Sequence, residues 1–343
     1  MTFLARRRFL SIGATAVGVG LATARTTSMK ISSPGSQKDA PFRIGVNLAG
    51  AEFEAIGGRW KWPHLDNLAY YLKKGFTVFR IPFRWHRLQP KLRGPLLEEA
   101  LAGLDVIIAA ISSRGAIAIL DSHDYGRRDN TVIGTDGSSV TAADFADFWG
   151  RMAMRYKALP LVWYNLMNEP HDMPGKANID AQNAACAAIR GAGAKSKVLF
   201  SGIAWTGAHS WIKSGNGAIM LGAYDSANNY AFDVHQYLDQ GFGGAGGKPV
   251  VPGVGSYILD AVRNWAETHG KKLFLGEFSS GPSKAFLIEL DALLAYATTH
   301  RDVFIGATYF AGGGVWGHNA GSSDPINGVE KPQTAILEKY LGR

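Results

Sequence analysis

Residues 161–169 read LVWYNLMNE, an apolar run that ends on an amide and a carboxylate, and Pro170 follows at once. The run is short and lacks strict alternation of apolar and polar residues, which is typical of a parallel strand covered on both faces. A buried strand that ends on Glu169 has two interpretations. The glutamate is either a surface cap at the strand end or a side chain that the strand positions for chemistry.

Seven more segments of the same kind occur along the chain, with helical segments between them. The predicted strands cover residues 42–48, 77–83, 116–123, 161–167, 197–202, 230–237, 272–278 and 304–310. Amphipathic stretches predict helices at 65–74, 97–113, 141–157, 178–193, 254–269, 283–300 and 332–341, whereas the position after the fifth strand, around 207–213, is poorly patterned. Eight strands, each followed by a helix or the remnant of one, predict an α/β fold, a single (β/α)8 TIM barrel.

A doubly wound open sheet is the alternative fold. Such a sheet usually has fewer strands and often a glycine-rich first turn of the form G-x-G-x-x-G. The corresponding stretch here, GVNLAGAEF at 45–53, lacks that form. The barrel is therefore the favoured prediction.

The N-terminal 40 residues differ in composition from the rest of the chain. Three arginines, Arg6 to Arg8, precede Phe-Leu, an apolar run and the small triplet at 22–24, which predicts a twin-arginine-type signal peptide over residues 1–24. An uncleaved membrane anchor is the alternative. Residues 25–40 are predicted to form a flexible lead-in to one folded domain at 41–343. The predicted location is periplasmic or extracellular.

The excess of positive charge belongs to the same leader. The chain has 36 Lys+Arg and 28 Asp+Glu, and six of the basic residues precede the first acidic residue, Asp39. From that point the balance is only +2. Charge therefore gives no support for nucleic-acid binding, and no membrane partner is expected after signal cleavage. Cys186 is the single cysteine, so an internal disulfide is excluded.

Residue types suited to catalysis stand at or near the ends of most predicted strands, where the active sites of barrels lie. In chain order they are Arg80, His123, Asp124, Asn168, Glu169, Trp205, His235, Tyr237, Glu277 and Trp316. Glu169 and Glu277 end the fourth and seventh strands, which lie on opposite sides of an eight-stranded ring. Two carboxyl groups across a substrate suit glycosidic-bond hydrolysis: one protonates the leaving oxygen and the other attacks the anomeric carbon or activates water. For either glutamate alone, a structural ion pair is the alternative.

Together these motifs resemble glycoside hydrolase family 5 of clan A. They are FRIPF at 79–83, the His123-Asp124 pair, NEP at 168–170, VHQY at 234–237, LGEF at 275–278 and a tryptophan after the last strand. GVNLAGAEF, LMNEPHDM and FDVHQYLD are most similar to the endo-β-1,4-glucanase (cellulase) branch. The resemblance implies a retaining double displacement with Glu169 as acid/base and Glu277 as nucleophile. The residues alone leave open which carboxyl group has which role.

The polar neighbours are predicted to support these two groups. Arg80 and Tyr237 can donate hydrogen bonds to the nucleophile and keep it ionised. Asn168 can donate to the sugar 2-OH, a contact that strengthens in the transition state. His235 can position the acid/base or the substrate.

Substrate contacts are expected from His123, Asp124, Trp205 and Trp316. The histidine and the aspartate can contact a sugar hydroxyl or support the site, and the two tryptophans at strand ends are the best stacking platforms. The other tryptophans are predicted to be platforms or packing (Trp60, Trp62, Trp85 and Trp211) or core (Trp149, Trp163 and Trp265).

No metal or cofactor is predicted. His123, Asp124, His171, Asp172 and His235 have no H-x-x-x-H or cysteine-based spacing. The stretch GFGGAGGKP at 241–249 lacks the ending of a phosphate-binding loop and is predicted to be a rim loop over the cleft.

The sequence therefore predicts a retaining endo-glycosidase that hydrolyses internal β-1,4-glucosidic bonds of cellulose or related β-glucans. An endo-β-mannanase, a xyloglucanase or a β-1,3-glucanase would keep the mechanism and change the sugar. A non-catalytic polysaccharide-binding barrel is the alternative from a different class.

Overall fold

The computed structural model describes residues 42–53, 61–244, 248–249 and 251–342, within the compact unit Gln37–Arg343. All eight predicted strands form, numbered here β1 to β8: Arg43–Leu48, Val78–Phe83, Ile117–Ser122, Val162–Asn165, Val198–Ser201, Tyr230–Tyr237, Leu273–Ser279 and Phe304–Gly312. Each strand pairs in parallel with the next, and β8 pairs with β1 to close the ring. The predicted TIM barrel is confirmed, and ring closure excludes the open sheet.

Most of the helices follow the prediction. They are α1 Leu65–Lys74, α2 Trp85–Leu88, α3 Glu98–Ser112, α4 Ala142–Tyr156, α5 Gly175–Gly191, α6 Asn216–Ile219, α7 Asp260–Thr268, α8 Lys284–Thr299 and α9 Pro332–Glu338. The one-turn α2 and a short hairpin, Arg127–Arg128 with Thr131–Val132, were not predicted. After β5, a 3-10 turn at Ala204–Thr206 and the short α6 replace a full helix.

The predicted helix over 254–269 is wrong in its first turns. A 3-10 turn, Val254–Ser256, stands there, and α7 begins only at Asp260. The Glu289 carboxylate of α8 accepts hydrogen bonds from the backbone N–H groups of Gly253 and Gly255. A Cβ on Gly255 would lie 2.1 Å from the Glu289 carbonyl oxygen, so the glycine permits a backbone contact that holds this turn against α8.

The side chains inside the barrel change from apolar to charged along the strands. An apolar layer fills its lower part: Val78, Ile117, Ile119, Trp163, Leu199, Ala231 and Phe274. Two residues further along the strands, on the same face, lie fully buried polar side chains: Arg80, Asp121, Asn165, Ser201 and Asp233. The strand period of two therefore places charged groups on an apolar support, directly below the open end.

Most tryptophans serve packing. Trp149, Trp163 and Trp265 are buried, as predicted, and Trp85 and Trp211 are fully buried and cannot be platforms. The Trp62 indole donates to the Ala100 carbonyl of α3. Trp60 and the predicted segments 1–24 and 25–40 lie outside the described residues. Across the described ranges, no helix combines the length and apolar character needed to cross a membrane.

Candidate active site

A cleft of about 850 Å³ opens at the C-terminal ends of the barrel strands. Seven of the ten residues named from the sequence line the cleft. The wall includes His123, Glu169, Trp205, His235, Tyr237, Glu277 and Trp316. Arg80 and Asn168 lie buried beneath these side chains. The tenth residue, Asp124, is described separately below.

Glu277 lies near the end of β7 and is held by donors on both carboxylate oxygens. Oε1 accepts from Arg80 Nη1 at 2.7 Å, and Oε2 accepts from the Tyr237 hydroxyl at 2.6 Å. Burial by itself would raise the pKa of this carboxyl group. The positive charges of His235 and Arg80, together with the tyrosine hydrogen bond, outweigh burial and lower the pKa below its usual value.

Glu169 stands beyond the end of β4 in a strained backbone conformation. Its φ of 42° lies in the left-handed region, which is costly for a residue with a side chain. The side chain is 16% exposed and therefore opens to the cleft, and its Oε1 lies 2.8 Å from His235 Nδ1. Burial and the nearby charge of Glu277 raise the pKa of Glu169, although His235 opposes them. The two carboxyl groups thus have opposite pKa shifts.

Arg80 of β2 organises the floor of the cleft. The side chain is fully buried and uses all of its guanidinium nitrogens. Besides Glu277, its partners are Asn47 Oδ1 at 2.9 Å, Asn165 Oδ1 at 2.8 Å, Asn168 Oδ1 at 2.7 Å and Asp121 Oδ1 at 3.0 Å. A planar guanidinium suits this arrangement because its five donors point in fixed directions.

Asp124 has a supporting position. Its Oδ2 accepts from the Trp85 backbone N–H at 2.8 Å and from the Ser122 hydroxyl at 2.9 Å, and its Oδ1 lies 3.3 Å from Arg84 Nε. The carboxylate is buried and is not part of the cleft wall. Of the two roles predicted for Asp124, the structure favours support over sugar contact.

The two tryptophans predicted as platforms line the same cleft as the carboxyl pair. Trp205 stands in a turn where three consecutive residues, Ala204 to Thr206, have φ values of 54°, 55° and 48°. One face of its indole stacks on His171, with ring centroids 4.7 Å apart, and the side chain is 51% exposed. Trp316 stacks on Phe53 at 5.5 Å. Trp205 has the accessibility expected of a sugar platform, and Trp316 is half-buried at the cleft wall.

The sequence interpretation missed several aromatic and polar residues of the cleft wall. They are Phe53, Tyr125, His209, Phe242, Phe310 and Asn319. Two of them carried a usable pattern, because Tyr125 directly follows the His123-Asp124 pair and Phe310 lies near the end of the last strand. Phe242 belongs to the predicted rim loop at 241–249, whose residues 241–244 line the cleft. The others come from loops whose course the sequence does not specify.

One group of side chains among the described residues has the composition and spacing of a metal site. Glu169, His235 and Glu277 each offer one ligand atom, and these atoms lie within 4.8 Å of one another. The same atoms are engaged with protein partners: His235 Nδ1 with Glu169, and Glu277 Oε2 with Tyr237. The hydrogen-bond network therefore accounts for this spacing without a metal ion.

Comparison with known proteins identifies the family. The sequence model described as "Cellulase (glycosyl hydrolase family 5)" matches residues 41–312. The chain belongs to glycosyl hydrolase family 5. This family 5 chain is 32% identical over 307 residues to Endo-beta-1,4-glucanase A of Emericella nidulans, covering 87% of this chain and 92% of the relative.

Solved structures agree with the assignment to family 5. XacCel5A in complex with cellopentaose superposes with a TM-score of 0.83 at 34% identity, covering 87% of this chain and 98% of that one. The endo-beta-1,4-glucanase Xac0029 from Xanthomonas axonopodis pv. citri superposes with a TM-score of 0.84 at 32% identity, covering 88% of this chain and 100% of that one. The predicted family 5 cellulase, and with it an enzyme of the glycoside hydrolase class, is confirmed.

Proposed function

We propose that this family 5 protein is an endo-β-1,4-glucanase that cleaves internal bonds of cellulose or related β-glucans by a retaining double displacement. One observation carries the mechanism: a carboxylate oxygen of Glu169 lies within 4.8 Å of one of Glu277. Retaining glycosidases hold their carboxyl groups about 5–5.5 Å apart, whereas inverting enzymes need about 6.5–9.5 Å to admit a water molecule. The short separation favours direct attack by one carboxylate.

The electrostatics of the pair support Glu277 as the nucleophile and Glu169 as the acid/base. A nucleophile must be ionised, and Glu277 has the lowered pKa and two hydrogen-bond donors. A general acid must begin protonated, and Glu169 has the raised pKa. This assignment agrees with the one that the family resemblance implies.

The reaction then proceeds in two balanced steps. Glu277 attacks the anomeric carbon, the glycosidic C–O bond breaks, and the leaving oxygen takes the proton of Glu169. In the second step Glu169 removes a proton from water, the water oxygen bonds to the anomeric carbon, and the Glu277 carboxylate is released. Esterification removes the negative charge of Glu277, which lowers the pKa of Glu169 and suits it to act as a base in this step.

The substrate class rests on the cleft and on the relatives. Trp205 and Trp316 provide flat apolar surfaces in the same cleft as the polar residues, the combination that a sugar with apolar C–H faces and polar hydroxyls requires. XacCel5A was solved with cellopentaose and Pseudomonas stutzeri Cel5A with cellobiose. We extend the same class, β-1,4-linked glucose, to this chain, and we propose export through the predicted leader.

Azide rescue tests the mechanism. Glu277→Gly should be inactive without azide and, with azide, should release a glycosyl azide of inverted configuration. Glu169→Gly should give one of retained configuration on a substrate with a good leaving group. The reverse pattern would exchange the two roles, and no rescue of either variant would contradict the double displacement.

A polysaccharide panel tests the substrate. Carboxymethylcellulose, barley glucan, mannan, xyloglucan and laminarin are compared, with product lengths resolved and Glu277→Gln as the matched inactive control. Internal cleavage of the two β-1,4-glucans is expected. Faster cleavage of mannan, xyloglucan or laminarin would select one of the alternative sugars. Release of no product from any polymer, with retained binding, would indicate a non-catalytic barrel.

A further inference from the structure

Two Asp-x-His motifs lie at the cleft, one at the end of β3 and one on β6. They are 121–123 and 233–235, and the strand period of two directs both side chains of each motif to the same face. Asp121 and Asp233 are fully buried and lie 3.0 Å and 3.7 Å from Arg80 Nη2. The motifs therefore share one cation. Their histidines, however, contact the aspartates through different ring nitrogens.

His123 is bonded to its aspartate through Nδ1, at 2.8 Å from Asp121 Oδ2, and its Nε2 lies 3.2 Å from Asn168 Nδ2. The Asn168 amide is fixed, because its Oδ1 accepts from Arg80, which can only donate. Its Nδ2 must then donate to His123 Nε2, which must be unprotonated. His123 is therefore a neutral ring with its proton on Nδ1.

His235 is bonded the other way round. Its Nε2 lies 3.2 Å from Asp233 Oδ2, and its Nδ1 lies 2.8 Å from Glu169 Oε1 and 3.6 Å from Glu277 Oε2. Both ring nitrogens thus face carboxylate oxygens, and an imidazolium can donate to both sides at once. This geometry fits a doubly protonated ring at His235.

Burial and nearby charges shift the pKa values of the two histidines in the directions that these protonation states require. Burial lowers the pKa of His123 to about 3. Burial also acts to lower the pKa of His235, but the charges of Glu277 and Asp233 outweigh it and raise the pKa to about 10.

We propose that Asp121 and Asp233 are positioning residues that hold the two cleft histidines in opposite protonation states, and that Asp233 thereby selects the oxygen of Glu169 that carries the catalytic proton. Because His235 donates to Oε1, the proton of the general acid resides on Oε2. Asp121 acts through His123, which lines the cleft, and through Asn168, which accepts from the Arg80 that holds Glu277, so its effect does not depend on the proton of Glu169. This inference rests on the proposed role of Glu169 as the general acid.

The leaving group separates the two positioning roles. Glycosylation is measured as kcat/KM on cellopentaose, whose leaving sugar needs a proton, and on 2,4-dinitrophenyl β-cellobioside, whose leaving group does not. Asp233→Asn should lower kcat/KM on cellopentaose about 10- to 100-fold, which is part of the 10²–10⁴-fold rate increase that a positioned proton donor contributes. The same variant should change kcat/KM on the aryl substrate little. The matched variant Asp121→Asn should lose activity on both substrates by a similar factor.

Glu169→Gln is the reference that distinguishes the two possible failures. If Glu169→Gln shows no dependence on the leaving group, the proposed acid/base assignment itself is refuted. If Glu169→Gln shows the dependence on the leaving group but Asp233→Asn lowers kcat/KM equally on both substrates, or on neither, the positioning role of Asp233 is refuted.

The unsubstituted protein provides a second test that does not depend on how a variant folds. Nitrogen-15 NMR at neutral pH should show both ring nitrogens of His235 protonated and Nε2 of His123 unprotonated. A doubly protonated His123, or a His235 with one unprotonated nitrogen, would overturn the assignment.

Discussion

Removal of the Tyr237 hydroxyl tests how the nucleophile is kept ionised. In Tyr237→Phe the ring remains in the cleft wall, and only the O–H that donates to Glu277 Oε2 at 2.6 Å is lost. The carboxylate keeps its 2.7 Å bond from Arg80 on Oε1. The substitution therefore removes one of two direct donors and leaves the nearby charges unchanged.

The size of the effect follows from the charge on the acceptor. A hydrogen bond to a charged group contributes about 1.5–3 kcal/mol. At 1.36 kcal/mol per pKa unit, its loss should raise the pKa of Glu277 by about 1–2 units, because the hydrogen bond stabilises the ionised form. The nucleophile is active when ionised, so the acidic limb of the kcat/KM profile should move to higher pH by the same amount.

The assay is kcat/KM on cellopentaose across the acidic and neutral range, with thermal unfolding measured in parallel. Tyr309→Phe is the matched control, because the Tyr309 hydroxyl donates to the Ser280 carbonyl at 3.0 Å and does not touch Glu277. The control should lose stability without a shift of the acidic limb. An acidic limb that stays in place in Tyr237→Phe would refute the role of the tyrosine.

Three further results are expected. Trp205→Ala should raise KM for cellopentaose by about tenfold with little change in kcat, since it removes apolar contact area rather than a reacting group; an unchanged KM would remove Trp205 from the binding surface. Gly276→Ala should lower the free energy of unfolding by about 1–3 kcal/mol in thermal or denaturant unfolding, because a Cβ there would lie 1.9 Å from Asp233 Oδ1. The control is Gly191→Ala, which should cost no stability because a Cβ on Gly191 meets nothing within 4 Å. The unsubstituted enzyme should have a bell-shaped kcat/KM profile, falling at low pH as the nucleophile is protonated and at high pH as the general acid loses its proton; a profile with no basic limb would contradict a carboxylic acid as proton donor.

Much of the candidate site could be predicted because, in a barrel, the order of the strands along the chain fixes where each strand end lies around the ring. Once eight strands are recognised, the residues at their ends converge on one opening, which is how Glu169 and Glu277 could be paired from the sequence. The same reasoning missed Asp121 and Asp233, because they lie within strands rather than at strand ends. Their side chains face the barrel interior at the same two-residue spacing as the apolar residues before them. For Asp124 it left open a sugar contact, which burial against Trp85 disfavours, and support of the site.

The sequence by itself determined the strand positions, the number of strands and the two carboxyl groups, because these depend on local apolar patterns and on strand ends. Only the tertiary structure decided how those groups differ. Glu277 is held by Arg80 and Tyr237, whereas Glu169 faces His235 from a strained turn. These partners are far apart in the chain, and the protonation of buried groups depends on such neighbours and on burial, which no local pattern encodes.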